Sequence, residues 1–115
     1  MGEIEEHLQR GIALKQEGRY DEAQVELQQV VCADGCLVEG HRQLGLVYGF
    51  AGLFDESLEE LKKAVELDPN ATLARNDLGM TYAMLGMYDE AKVEFLEVLE
   101  LDPDNDHAKK QLLYF

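Results

Sequence analysis

The chain contains no tryptophan, two prolines, two cysteines and few basic side chains. The shortage of cations excludes most. Ten Lys and Arg stand against 24 Asp and Glu, a formal net charge of -14. A generic binder of nucleic-acid backbone draws its affinity from Lys and Arg that neutralise phosphates, and an anionic membrane surface attracts basic segments. Neither a nucleic acid nor a membrane is therefore an expected partner. A basic or apolar partner is electrostatically easier, although such a charge also serves solubility. No apolar run approaches the ~18 residues of a spanning helix. The start, Met1-Gly2-Glu3-Ile4-Glu5-Glu6, is too acidic for a signal peptide. The expectation is a cytoplasmic chain whose two cysteines are free thiols. No phosphate loop, nucleophile elbow or zinc-protease motif occurs, and His7, His41 and His107 are far apart in sequence. No enzymatic activity and no cofactor are expected.

What the chain does have is a period. Both prolines lie in Asp-Pro pairs, Asp68-Pro69 and Asp102-Pro103, 34 residues apart. Ahead of the second pair stand Leu78-Gly79, Tyr82, Gly86-Met87-Tyr88-Asp89-Glu90-Ala91 and Phe95. Ahead of the first stand Leu44-Gly45, Tyr48, Gly52-Leu53-Phe54-Asp55-Glu56-Ser57 and Leu61. A fainter copy precedes both, as Gly11, Leu14, Gly18-Arg19-Tyr20-Asp21-Glu22-Ala23 and Leu27. A fixed period of this length marks helix-turn-helix repeats. In residue types and spacing the pattern resembles the tetratricopeptide repeat (TPR) family. The resemblance covers Ile4 to Asn105 in unbroken register.

The resemblance implies an all-α, right-handed superhelical solenoid. Three repeats, 4–37, 38–71 and 72–105, and a C-terminal capping helix, 106–115, make one domain, 1–115. Each repeat is an A helix followed by a B helix. In the first, Gly18 ends helix A, and Asp21 with Gln24 three residues on reads as a capping box for helix B. Arg10 and Gly35 stand where the family usually has Leu and Pro. Gly45 is expected to meet Ser57, and Gly79 to meet Ala91. The third core is expected from Leu78, Tyr82, Tyr88, Phe95, Val98 and Leu101. In the tail, Ala108, Leu112 and Leu113 share a face, and Asp104 or Asp106 is a candidate cap.

In this family the A helices line a concave face that takes a peptide or helix of another protein. The residues expected on it are Ile12, Lys15, Arg42, Leu46, Phe50, Leu73, Asn76, Asp77, Met80 and Met84. The apolar members form its centre, with methionine as an adaptable contact. Leu46 and Met80 also read as partial core, since apolar stripes at helical spacing usually face a core. Arg42, Lys15, Asn76 and Asp77 are expected to orient a ligand. The family's chaperone-tail clamp uses Lys, Asn, Asn, Lys and Arg. Its positions here hold Leu8, Ile12, Gln43, Leu73 and Asp77, so that clamp is not expected.

The function expected is that of a protein–protein interaction adaptor or scaffold. One alternative is self-association through the solenoid ends, helped by the apolar tail Leu112-Leu113-Tyr114-Phe115. Another is a thiol- or metal-dependent role at Cys32 and Cys36, with His41 as a third ligand. Zinc wants four donors, and no second cysteine pair exists.

Overall fold

The computed structural model describes residues 2–115. Seven helices follow one another without a strand among those residues: α1 (Glu3–Gln16), α2 (Tyr20–Ala33), α3 (Val38–Phe50), α4 (Phe54–Leu67), α5 (Thr72–Met84), α6 (Tyr88–Leu101) and α7 (Asp106–Leu112). Each odd helix packs on the even helix after it. Each even helix packs on the odd helix that follows, and α3 touches both α1 and α5. The result is an all-α repeat solenoid of three helix pairs with a seventh helix at its end, about 40 × 26 × 20 Å.

The turn inside each pair is set by a glycine. Gly18, Gly52 and Gly86 have φ of 78, 81 and 76°, backbone that L side chains rarely adopt. After each the chain doubles back: the Arg19, Leu53 and Met87 amides donate to the Leu14, Tyr48 and Tyr82 carbonyls. The next residue is already helical, so Asp21 lies inside the first turn of α2 rather than at its cap. The residue at the cap is Arg19, with no side-chain hydrogen bond, and the expected capping box is absent. Asp21 and Glu22 act instead as acidic residues near the positive end of the helix dipole. At α7 the cap is Asn105, whose side chain accepts from the Ala108 amide, rather than Asp104 or Asp106.

The helices of a pair approach closely at Gly11, Gly45 and Gly79. A Cβ on Gly11 would lie 2.6 Å from Leu27, on Gly45 2.7 Å from Leu61 and on Gly79 2.8 Å from the Phe95 ring. The Ser57 carbonyl stands further off, 3.4 Å from the same Gly45 Cβ position. The larger residue one turn further along the even helix is thus the true partner of each glycine. Two apolar clusters result. Leu8, Ala23, Leu27, Val30, Leu44 and Val47 form one. Leu61, Leu78, Tyr82, Ala91, Phe95, Val98 and Ala108 form the other. Tyr88 and Leu101, expected in the core, are exposed, and so is Leu113.

A polar seam repeats with the same period. His7 meets Glu26 at 3.2 Å, His41 meets Glu60 at 2.8 Å, and Arg75 meets Glu94 at 2.9 Å. Each pair ties an odd helix to the even helix that follows. Arg10, where the family usually has Leu, donates to the same Glu26 at 2.8 Å on an outer face. A polar residue is accommodated there because an end repeat has no outer neighbour to pack against.

Candidate functional site

α1, α3 and α5 are neighbours, so one face of each lies beside the next. Between α3 and α5, with the start of α4 behind them, lies a pocket of about 290 Å³. Leu46, Phe50, Phe54, Met80 and Met84 form its apolar wall, and Gly45 and Gly49 open its floor. Ser57 and Thr81 stand 3.3 Å apart through their hydroxyls, and the Thr81 hydroxyl donates to the Asp77 carbonyl at 3.0 Å. Their polar atoms are thus satisfied internally, and the pocket offers mainly apolar surface.

The expected groove residues divide into three sets. Leu46, Phe50, Met80, Met84 and Asp77 come together at the pocket. Phe50 and Met84 are 58% and 63% exposed, so both present surface to a ligand. Phe50 is backed by Tyr20 of α2, with ring centroids 5.8 Å apart. Met80 serves two roles, since it also packs against the second apolar cluster. Leu73 is exposed in a separate depression beside Glu39 and Arg42, near the start of α5. Ile12 packs against the first apolar cluster.

Lys15, Arg42 and Asp77 join across the three odd helices. The Lys15 ammonium donates to Gln43 Oε1 at 2.7 Å. Arg42 Nε donates to Asp77 Oδ2 at 2.8 Å, and its Nη1 donates to Glu39 at 2.9 Å. These bonds bind α1 to α3 and α3 to α5, so the groove floor is held together by its own charges. Burial pushes the Asp77 carboxyl above the usual range, against the pull of Arg42. Burial likewise lowers the Lys15 ammonium, helped by the neighbouring Arg42 charge. Asn76 is not a wall residue. It is 5% exposed, and its Nδ2 donates to Asn105 Oδ1 at 3.3 Å in the joint between α5 and α7.

Phe54 and Thr81 are wall residues that sequence reasoning missed. Phe54 sits one residue before Asp55, where the tight Gly52 turn brings the start of α4 back over the groove. Thr81 carried a weak signal, since Ser57 replaces the usual Ala and its hydroxyl needs a partner.

Charge is unevenly shared between the helices. The even helices carry three, five and five acidic residues, 13 in all, against three lysines. The odd helices carry six acidic and six basic residues. Without α7, the three helices α1, α3 and α5 carry five acidic and four basic residues, so they are nearly neutral within a strongly acidic molecule.

The cysteines lie elsewhere. Cys32 and Cys36 are exposed free thiols. His41, considered as a third ligand, is 6% exposed and engaged on both nitrogens, by Glu60 and by the Gly35 carbonyl at 2.8 Å each. Among the described residues no group of three His, Cys, Asp or Glu side chains is placed to hold a metal. No helix of those residues is long and apolar enough to cross a membrane.

Comparison with known proteins agrees with this architecture. The first TPR of Spaghetti (RPAP3), solved with the HSP90 peptide SRMEEVD, superposes with a TM-score of 0.94 at 25% identity, covering 97% of this chain and 89% of that one. The second TPR domain of human RPAP3, solved with the HSP70 peptide SGPTIEEVD, gives 0.92 at 26% identity, over 97% and 93% of the two chains. YrrB, described as a TPR protein with an unusual peptide-binding site, shares the fold with a TM-score of 0.90 at 23% identity, over 96% of this chain and 57% of that one. No curated protein matches the sequence. The sequence profile of the tetratricopeptide repeat matches residues 51–113, more than half of the chain. With the 34-residue period, the glycine-set turns and the paired helices in one register, the chain belongs to the tetratricopeptide repeat family.

Proposed function

We propose that the chain is a protein-interaction adaptor or scaffold that holds a peptide or helix of a partner in the groove of α1, α3 and α5. It is a binding module rather than an enzyme, and it works as a single domain, 1–115, with repeats 4–37, 38–71 and 72–105 capped by 106–115. The observation that carries this reading is the apolar pocket between α3 and α5. A soft, partly open apolar hollow rimmed by polar side chains is what an anchor residue of a partner requires. The relatives solved with peptides lend the family-level support. A short ligand held this way binds at about micromolar strength. The chaperone-tail clamp has no support here, because Leu8 is buried, Gln43 is engaged by Lys15 and Asp77 carries the opposite charge. A cytoplasmic setting fits two exposed, unpaired thiols.

The test is co-purification from native extract. Wild type is run beside a Phe50→Asp, Met80→Asp double variant first shown by circular dichroism to stay helical. The expected result is a partner retained by wild type and lost by the variant. A partner held equally by both removes the groove from the account.

A self-assembling module is the second reading, favoured by the tail. Leu113 and Tyr114 are 84% and 81% exposed, and Phe115 closes only part of the last apolar flank through Phe95 and Tyr88. In that case sedimentation shows mass rising with concentration, and deleting residues 112–115 restores the monomer. A constant monomer mass rejects it.

A further inference from the structure

Resting on the groove reading, the geometry points to one class of partner: a segment that seats a large apolar side chain in the α3–α5 pocket and sets a Lys or Arg beside Asp77. Among the described residues, Asp77 is the only charged side chain on the pocket wall. One of its oxygens is taken by Arg42, and the other accepts no hydrogen bond from a described residue. Arg42 is itself divided between Asp77 and Glu39, and Lys15 is turned to Gln43. Burial outweighs the pull of Arg42, and beyond it of His107 and Lys15, which all favour the charge, so the carboxylate is only partly compensated. A ligand cation at that end relieves it, whereas a ligand carboxylate meets like charge.

Two further observations point the same way. Asp55 and Glu56 occupy the first turn of α4, next to Phe54 of the wall. The molecule around the groove carries a net charge of -14, which steers cations inward and holds anions off. The peptides found in the two RPAP3 domains end in EEVD. The inference is that this chain, with nearly the same backbone, selects the opposite charge.

Four fluorescein-labelled probes test this by anisotropy: GSKLFKSG, GSQLFQSG, GSELFESG and SRMEEVD. At about 50 mM salt, where screening is weak, the lysine probe is expected to bind roughly fivefold tighter than the glutamine probe. The two acidic probes are expected to bind weakest. The lysine advantage shrinks at about 500 mM salt. Asp77→Asn, which keeps an acceptor for Arg42, brings the lysine-to-glutamine ratio towards one. Glu97→Gln on the exposed side of α6 leaves that ratio as in wild type.

Equal binding of the lysine and glutamine probes overturns the inference. So does an acidic probe binding best, an equal loss of ratio in Glu97→Gln, or no binding by any probe. Met84→Asp separates this from the groove reading. If it abolishes binding while charge preference is absent, the groove stands and only the cation inference falls. If it leaves all binding intact, the groove reading falls as well.

Discussion

Phe95→Ala is expected to lower the unfolding free energy by about 3–5 kcal/mol. The ring is fully buried. It lies under Gly79 of α5, stacks towards Phe115 with centroids 6.2 Å apart, and receives His107 of α7 on its edge at 6.0 Å. Removing it opens one cavity bordered by three helices. None of them can close it without losing its own register, so the penalty belongs at the upper part of the range. A domain of this size is stable by only about 5–15 kcal/mol, so the variant loses a large share. Repeat proteins hold together through nearest-neighbour contacts, and the loss is therefore concentrated in α5, α6 and α7. Urea unfolding followed by circular dichroism measures the total. Hydrogen exchange measures its distribution, with amides of α5–α7 accelerated more than those of α1 and α2. A loss below about 1 kcal/mol contradicts the packing described for the ring. Uniform acceleration along the chain contradicts the repeat-by-repeat division.

How far the fold was legible in the sequence is clearest at residues in equivalent positions. Gly18, Gly52 and Gly86 announced three identical turns, because a positive φ is a demand that one residue type states openly. Tyr20, Phe54 and Tyr88 occupy one register, yet their burial differs. Tyr20 is half-buried against Phe50 of the next odd helix, and Phe54 is half-buried likewise. Tyr88 is 59% exposed, because the next odd helix, α7, is seven residues long and the ring that meets Tyr88, Phe115, lies beyond its end. The period gives the position of a residue, while burial depends on a neighbour that the repeat itself does not contain. Leu101 differs: its counterpart Leu67, followed by the full-length α5, is exposed to the same 41%, so exposure there belongs to the register and not to a missing neighbour. The salt-bridge seam is written in the same period. His7, His41 and Arg75 share one register, and Glu26, Glu60 and Glu94 share another, 19 residues on. His7 and His41 look unrelated until each is set beside its carboxylate.

The groove was legible in outline only. Phe50, Met80 and Met84 followed from helical spacing, and they do meet in one pocket. Asn76 has the same spacing and is buried, and the capping residue of α7, Asn105, takes its amide. Arg42 and Asp77 were read as separate contacts for a ligand. They lie 35 residues apart in sequence, nearly one period, and so face each other from adjacent odd helices at 2.8 Å. Side chains one repeat apart on the same face are potential partners of each other before they are partners of anything else.

Two glycine substitutions are expected to act with opposite sign, and together they separate packing from function. Gly79→Val is expected to destabilise by about 1–3 kcal/mol or more. Its Cβ would sit 2.8 and 2.9 Å from Phe95 ring atoms, and a rigid, fully buried ring cannot bend away as a long side chain does. Valine also brings little of the helix propensity that alanine would restore. Gly49→Ala, one turn past Gly45 on α3, has room: the nearest atom to its new methyl is Ser57 Oγ at 3.4 Å. Gly49 is the penultimate residue of α3, so replacing it is expected to stabilise by no more than about 0.5 kcal/mol, the low end for a helical glycine. Thermal melts of the two variants check both signs. Gly49 also lines the pocket, so the same methyl fills part of the floor that a partner's anchor needs. The expected combination for Gly49→Ala is a higher melting temperature with weaker binding of the Leu-Phe probes. A raised melting temperature with unchanged binding places the anchor away from α3, against the wall formed by Met80 and Met84. A lowered one indicates that α3 and α4 lie closer together in solution than the 3.4 Å clearance allows.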